Sequence, residues 1–132
     1  VFMGSSPKVI MAHLPKQKIS EYYQHFATQL AEVNFAENEE AFSQKMKKIK
    51  KQGYYFSQGE LDPNVSGLSI PIKFSSKEAP LALTVLASKN RFEFVNIQKL
   101  IETLQESASQ IEKRYQSLSE THQLSDLNSI DK

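Results

Sequence analysis

Gly53-Tyr54-Tyr55-Phe56-Ser57-Gln58-Gly59-Glu60-Leu61-Asp62-Pro63-Asn64-Val65-Ser66-Gly67-Leu68-Ser69-Ile70-Pro71-Ile72 is the stretch whose reading decides the fold. It reads as a helix stop at Gly53, a short aromatic strand, a polar loop and a second, apolar strand. Pro63 fixes its own φ, and Asn64 is among the few non-glycine residues that enter the left-handed region at modest cost. The loop therefore has a specified shape. Because strand side chains alternate, Tyr54 and Phe56 share one face and Tyr55 takes the other.

Upstream of this stretch the pattern is helical. Asn38 is a good cap, Glu39 and Glu40 suit the first turn, and Phe42, Met46 and Ile49 form one face of a helix ending at Gly53. A helix before it is expected from about Ile19 to Ala31, with Tyr22, Phe26 and Leu30 at four-residue spacing. Gly4-Ser5-Ser6-Pro7 opens another, a serine serving as cap and Pro7 suiting the first turn, and Pro15 closes that segment. Downstream, Leu81 to Ala87 reads as a third strand, joined to the second by the polar turn Ser75-Ser76-Lys77-Glu78-Ala79-Pro80. From Ile97 the positions Leu100, Ile101, Leu104, Ala108, Ile111, Tyr115 and Leu118 make an apolar stripe of helical period. Thr121 to Lys132 is polar and unpatterned and is expected to fray.

At 132 residues the chain is one α+β domain, large enough to bury about two-thirds of its unfolded surface. Sixteen basic and fifteen acidic residues nearly cancel, so no strong field toward DNA or acidic lipid is built in. The absence of cysteine excludes disulfides, thiolate metal sites and a cysteine nucleophile, and it fits a reducing cytoplasm. No apolar run approaches a membrane span, so no membrane association is expected. Val1-Phe2-Met3 is neither a signal peptide nor a natural start and reads as a cut inside a longer protein.

Few residues suggest catalysis. His13, His25 and His122 are too scattered for a metal-ligand spacing, and neither a metal nor another cofactor is expected. Glu60 and Asp62 could do acid–base work, but with no nucleophile or oriented histidine near them in sequence they read better as turn caps. No GxSxG, phosphate-binding or dinucleotide motif occurs. Lys45-Met46-Lys47-Lys48-Ile49-Lys50-Lys51 interleaves cations with core-facing residues. A solvated helix face is the favoured reading over a nucleic-acid patch. The chain is expected not to be an enzyme.

Four blocks resemble the effector-binding C-terminal domain of IclR-type bacterial transcription regulators. Gly4 to Pro15 is similar to the family's first effector-domain helix, and Phe42 to Gly53 to its helix ending in a basic-x-Gly-Tyr pattern. Glu60 to Ile72 resembles its Glu-Leu-x-Pro-Gly-Val loop and Ala-Ala-Pro-Ile strand. Pro80 to Val85, with the helix around Ala108 to Arg114, resembles its next strand and closing helix. Asn64 stands where the family usually has glycine, and Ser69-Ile70 replaces Ala-Ala. The strands that normally lead the family's domain have no counterpart before the first helix, nor does the DNA-reading helix-turn-helix.

The resemblance implies a GAF/PAS-like antiparallel sheet flanked by helices, spanning residues 1–119 with a flexible tail over 120–132. It implies a small-molecule effector, often an organic or aromatic acid, that alters a dimer or tetramer. DNA would be met only through a separate N-terminal domain. By position, the effector-binding candidates are Ser5, Ser6, Ser57, Val65, Gly67, Val85 and Ala87. Free N–H groups at a helix start suit a carboxylate, and serine hydroxyls with valine walls suit the rest of a small acid. A dimerisation module without ligand, or a small enzyme on a GAF-like scaffold, are the alternatives.

Overall fold

The computed structural model describes residues 3–74 and 80–130, with side chains through residue 121. Its elements run α1 (Ser5–Ala12), α2 (Lys16–Glu32), α3 (Glu39–Gln52), β1 (Tyr55–Gln58), β2 (Val65–Ile72), β3 (Leu81–Ser88), α4 (Lys89–Glu93) and α5 (Ile97–Ile130). The three strands form one antiparallel sheet in the order β1-β2-β3. Tyr55 opposes Ser69 and Ser57 opposes Gly67, while on the other side Ser69 opposes Thr84 and Gly67 opposes Leu86. The expected α+β class and antiparallel sheet with flanking helices are what the chain adopts.

Local chemistry accounts for the boundaries. The Asn38 side chain accepts from the Ala41 N–H, Glu39 and Glu40 lie in the first turn of α3, and Lys50 and Lys51 lie in its last. Gly53 closes that helix in the left-handed conformation at φ 82°, where a side chain would be strained. The β1–β2 loop takes its positive φ at Gly59 and not at Asn64. Asn64 instead donates its N–H to Asp62 Oδ1 at 2.8 Å, and the Val65 N–H donates to the Asp62 carbonyl. The aspartate thus shapes the turn through its side chain, a common alternative to left-handed backbone.

Four further differences from the sequence reading stand out. α1 is preceded by Gly4 at φ 92°, with no side-chain cap, because the Ser5 and Ser6 hydroxyls bond across to the sheet. α2 starts at Lys16, directly after Pro15, and kinks at Phe26. Ser88 ends β3 and caps the short α4 by accepting from the Arg91 N–H. α5 keeps its helical backbone through Ile130, beyond the expected onset of fraying. Residues 75–79 of the predicted hairpin turn lie outside the described residues.

Two apolar clusters flank the sheet. Val9, Ala12, Leu30, Ala36, Phe42, Met46 and Ile49 join α1, α2 and α3, with Tyr55 and Ala82 packed against them. Leu68, Ile70 and Ile72 of β2 meet Phe92 of α4 and Ile101, Leu104 and Ala108 of α5 on the opposite side. Tyr54 and Phe56 pack with the second cluster and Tyr55 with the first, as alternation requires. The α5 stripe divides: Ile101, Leu104 and Ala108 are buried, whereas Ile111, Tyr115 and Leu118 are exposed.

Candidate functional site

β2 is buried along most of its length, yet its two faces differ in chemistry. Leu68, Ile70 and Ile72 point toward α5, so alternation turns Val65, Gly67, Ser69 and Pro71 toward α1. On that side a group of hydroxyls joins helix to sheet. Ser5 Oγ lies 2.7 Å from Ser69 Oγ, Ser69 Oγ 2.7 Å from Thr84 Oγ1, and Thr84 Oγ1 2.6 Å from Ser6 Oγ. A longer contact of 3.3 Å closes Ser6 onto Ser69. Four hydroxyl protons are matched by four contacts, so each hydroxyl can donate once within the cluster, and Ser6, Ser69 and Thr84 can accept as well. Ser5 and Ser69 are buried, while Ser6 and Thr84 are half-buried.

Gly67 continues this face one step toward the β1–β2 loop. A Cβ there would lie 2.8 Å from Leu86 Cδ2, 3.0 Å from Ser5 Oγ and 3.3 Å from Ser57 Oγ. Only glycine lets the N-terminal end of α1 and the strands approach this closely. Ser57, which donates at 3.4 Å to the Gly67 carbonyl, is buried beside it.

Beneath the loop lies a buried lysine. Lys8 is 1% exposed. Its Nζ donates at 2.9 Å to Glu60 Oε2 and at 3.0 Å to the Gly4 carbonyl, back at the start of its own helix. The ammonium also lies 5.2 Å from the Tyr55 ring centre and 5.3 Å from that of Phe35. Burial lowers the Lys8 pKa below that of an ordinary lysine, and Glu60 opposes this by hydrogen bond and charge. The Tyr55 hydroxyl donates at 3.1 Å to Glu60 Oε1, and burial with the adjoining carboxylate pushes its pKa up. Glu60, the expected turn cap, is instead the counter-ion that allows a cation in the domain interior.

Of the candidates, Ser5, Ser6, Ser57 and Gly67 are brought together, and Val65 shares their face at the loop end of β2. Val85 and Ala87 are not brought there. Both pack against the α5-side cluster, because the pairing of Ser69 with Thr84 turns the even-numbered positions of β3 toward α1. Thr84 and Leu86 stand in their place. A one-residue shift of register exchanges the faces of a whole strand, and the sequence left that register open. Thr84, Ser69 and Lys8 were the residues missed. Ser69 was legible from Gly67 by period two, and Lys8 from Ser5 by helical spacing.

His13 Nδ1 donates at 2.8 Å to the Val9 carbonyl, which requires a proton on Nδ1. Its Nε2 is buried with no hydrogen-bond partner among the described residues, and burial lowers its pKa. The lysines of the 45–51 run are exposed, while Met46 and Ile49 are buried between them. Among the described residues, no three His, Asp or Glu side chains converge to hold a metal ion, and no helix is long and apolar enough to cross a membrane.

A family model described as "Bacterial transcriptional regulator IclR C-terminal" matches residues 1–113. The fold is similar to the crystal structure of the transcriptional regulator YaiJ, with TM-score 0.71, 19% identity, and coverage of 86% of this chain and 64% of that one. It is also similar to the C-terminal domain of a Vibrio cholerae protein assigned as a transcriptional regulator, with TM-score 0.62, 29% identity, and coverage of 80% and 60%. A third similar structure is the inducer-binding domain of the PobR transcription factor from Acinetobacter, a double mutant in complex with 3-hydroxybenzoic acid. There the TM-score is 0.61 at 18% identity, with coverage of 83% and 63%. The chain thus spans less than two-thirds of the length of each of these structures. No match is found among curated proteins.

Proposed function

This chain belongs to the C-terminal domain family of IclR-type bacterial transcriptional regulators, and we propose that it senses a small organic acid at the sheet-facing start of α1. The carrying observation is the hydroxyl group formed by Ser5, Ser6, Ser69 and Thr84 around the first turn of that helix. Nothing apolar is gained by placing four hydroxyls there, whereas a carboxylate would accept from them and from the free backbone N–H groups of the turn. Ser6 and Thr84, being half-buried, are the pair a ligand would meet first. Their protons would turn from each other to the anion, while Ser5 and Ser69 remain bonded beneath. Leu86 and Val65 would supply apolar contact, and Gly67 lets the start of α1 lie close against the strand.

The signal would pass to a separate DNA-reading domain through assembly. The exposed Ile111, Tyr115 and Leu118 of α5 form a stripe that a second copy would cover, in a dimer or larger oligomer. No catalytic step is assigned to the domain, and its own formal charge of +1 supports only weak, salt-sensitive attraction to DNA.

A thermal-shift screen of small organic and aromatic acids tests the reading, since a ligand that binds only the native state raises Tm. A hit whose effect is weakened by Ser6→Ala supports the site. A complete panel without a shift, on the full-length regulator as well as on this chain, favours a dimerisation module instead. Nanomolar, salt-resistant binding of this chain alone to one operator would refute the sensing role.

A further inference from the structure

A concavity lies away from the hydroxyl group, between α3 and β1. It has a volume of about 250 Å³ and is lined by Phe35, Lys45, Lys48, Ile49, Gln52 and Tyr55. That is small for a ligand pocket, at the scale of a single-ring molecule rather than a nucleotide. The buried Ile49 gives it an apolar side, and Phe35 and Tyr55 give it two aromatic ones. Its charge is one-signed. Lys45 and Lys48 stand on the α3 side, and neither makes an ion pair among the described residues. Lys45 Nζ donates to the Phe35 carbonyl and lies 4.4 Å from the Phe35 ring centre. Lys8 sits behind the same two rings, and its carboxylate partner Glu60 is already held by both Lys8 and the Tyr55 hydroxyl.

We infer that this cleft is a binding site for a small planar anion, with a single-ring carboxylate as its chemical class. The ring lies against Phe35 and Tyr55 over Ile49, and the carboxylate meets the Lys45 and Lys48 ammonium groups. No carboxylate side chain lines the cleft to compete with it. Gln52 adds polarity at the rim: its Nε2 donates to the Tyr54 carbonyl, which leaves the amide oxygen free to accept from a ring hydroxyl. The recognition follows from two ordinary preferences. A planar apolar body gains from aromatic walls, and an exposed ammonium pair gains from a counter-ion in a partly desolvated cleft. Neither depends on the α1 site, so the two sites can be occupied independently.

The probe is sodium benzoate, titrated into the ¹⁵N-labelled chain and followed by amide chemical shifts. Saturable shifts are expected at Phe35, Lys45, Lys48, Ile49, Gln52 and Tyr55, weakening as salt is added. The exposed double replacement Lys45→Gln/Lys48→Gln should raise Kd about fivefold or more without unfolding the chain. Lys47→Gln, on the same helix but outside the cleft, should leave Kd unchanged, and cyclohexanecarboxylate, which is not planar, should bind more weakly than benzoate. Saturable shifts confined to Ser5, Ser6, Gly67, Ser69 and Thr84, unaltered in the double variant, would overturn the cleft while leaving the α1 reading standing. Absence of saturable shifts at the cleft, or shifts there that ignore both lysine replacements, would overturn it as well.

Discussion

The two faces of β2 are equally hidden from water but are built on different terms. Toward α5, Leu68, Ile70 and Ile72 fill an apolar layer with Phe92, Ile101, Leu104 and Ala108. Toward α1, Gly67 and Ser69 replace bulk with close approach and hydroxyl bonding, and a lysine lies buried nearby. The first face is stabilised by the area it removes from water and asks only for matching volume. The second contributes little apolar area and depends on satisfied partners, which a ligand can exchange. On β2 itself, one face is therefore held by apolar burial and the other by directional partners.

The largest effect should come from breaking the apolar face. Leu68→Ala should destabilise the fold by about 2–5 kcal/mol, the range for a fully buried leucine, measured by urea unfolding. Gly67→Val tests the next position on the other face. Its added methyls would press on Leu86, Ser5 and Ser57, and overpacking of this kind costs about 1–3 kcal/mol. It should also abolish acid binding at α1 in calorimetric titration. If Gly67→Val binds normally, the space beside Gly67 is not part of the site.

Lys8 and Glu60 sharpen the contrast by their asymmetry. Glu60→Gln removes the carboxylate that faces the buried ammonium and should cost about 1–2 kcal/mol in urea unfolding, discounted because Glu60 is partly exposed. Lys8→Met removes the buried charge while Glu60 can rehydrate, so stability should change less than in Glu60→Gln. Equal losses in the two variants would mean that the ion pair itself is what stabilises this corner. Ser6→Ala comes below these. Removing one hydroxyl from a cluster that retains three should weaken both stability and acid binding by about 0.5–1.5 kcal/mol.

The smallest effect concerns His13, whose pKa burial holds below its ordinary 6.5. Below pH 6.5 the unfolded chain takes up a proton that the folded chain resists. The contribution is therefore fully present above pH 6.5 and is lost as pH falls toward the folded value. Unfolding midpoints measured across that window should fall less steeply with acid in His13→Gln than in the parent chain. An unchanged slope would place the acid sensitivity elsewhere.

Much of the α3–β1–β2 region was legible because its signals are local. The Asn38 cap, the glutamates after it, the Phe42–Met46–Ile49 face and Gly53 each act within a turn or two of chain. The alternation of Tyr54, Tyr55 and Phe56 needed only strand geometry to divide them between two cores. The family resemblance likewise rested on contiguous blocks. The candidate site was legible only where it is contiguous with such signals, at Ser5, Ser6, Ser57 and Gly67.

What the chain determined by itself is therefore the order and type of its elements, the short α4 apart, and the family to which it belongs, since caps, periodicity and turn residues act on near neighbours. Tertiary structure decided what depends on residues far apart in sequence. The register of β3 on β2 placed Thr84 and Leu86, in place of Val85 and Ala87, toward α1. Contacts across 64 and 52 residues made hydroxyl partners of Ser5 and Ser69 and an ion pair of Lys8 and Glu60. The split of the α5 stripe into a buried half and an exposed half followed from where the sheet ends, which no helical period can state. Side-chain period two is indifferent to which face is which, and only the packing of α1 and α5 on opposite sides of the sheet settles it.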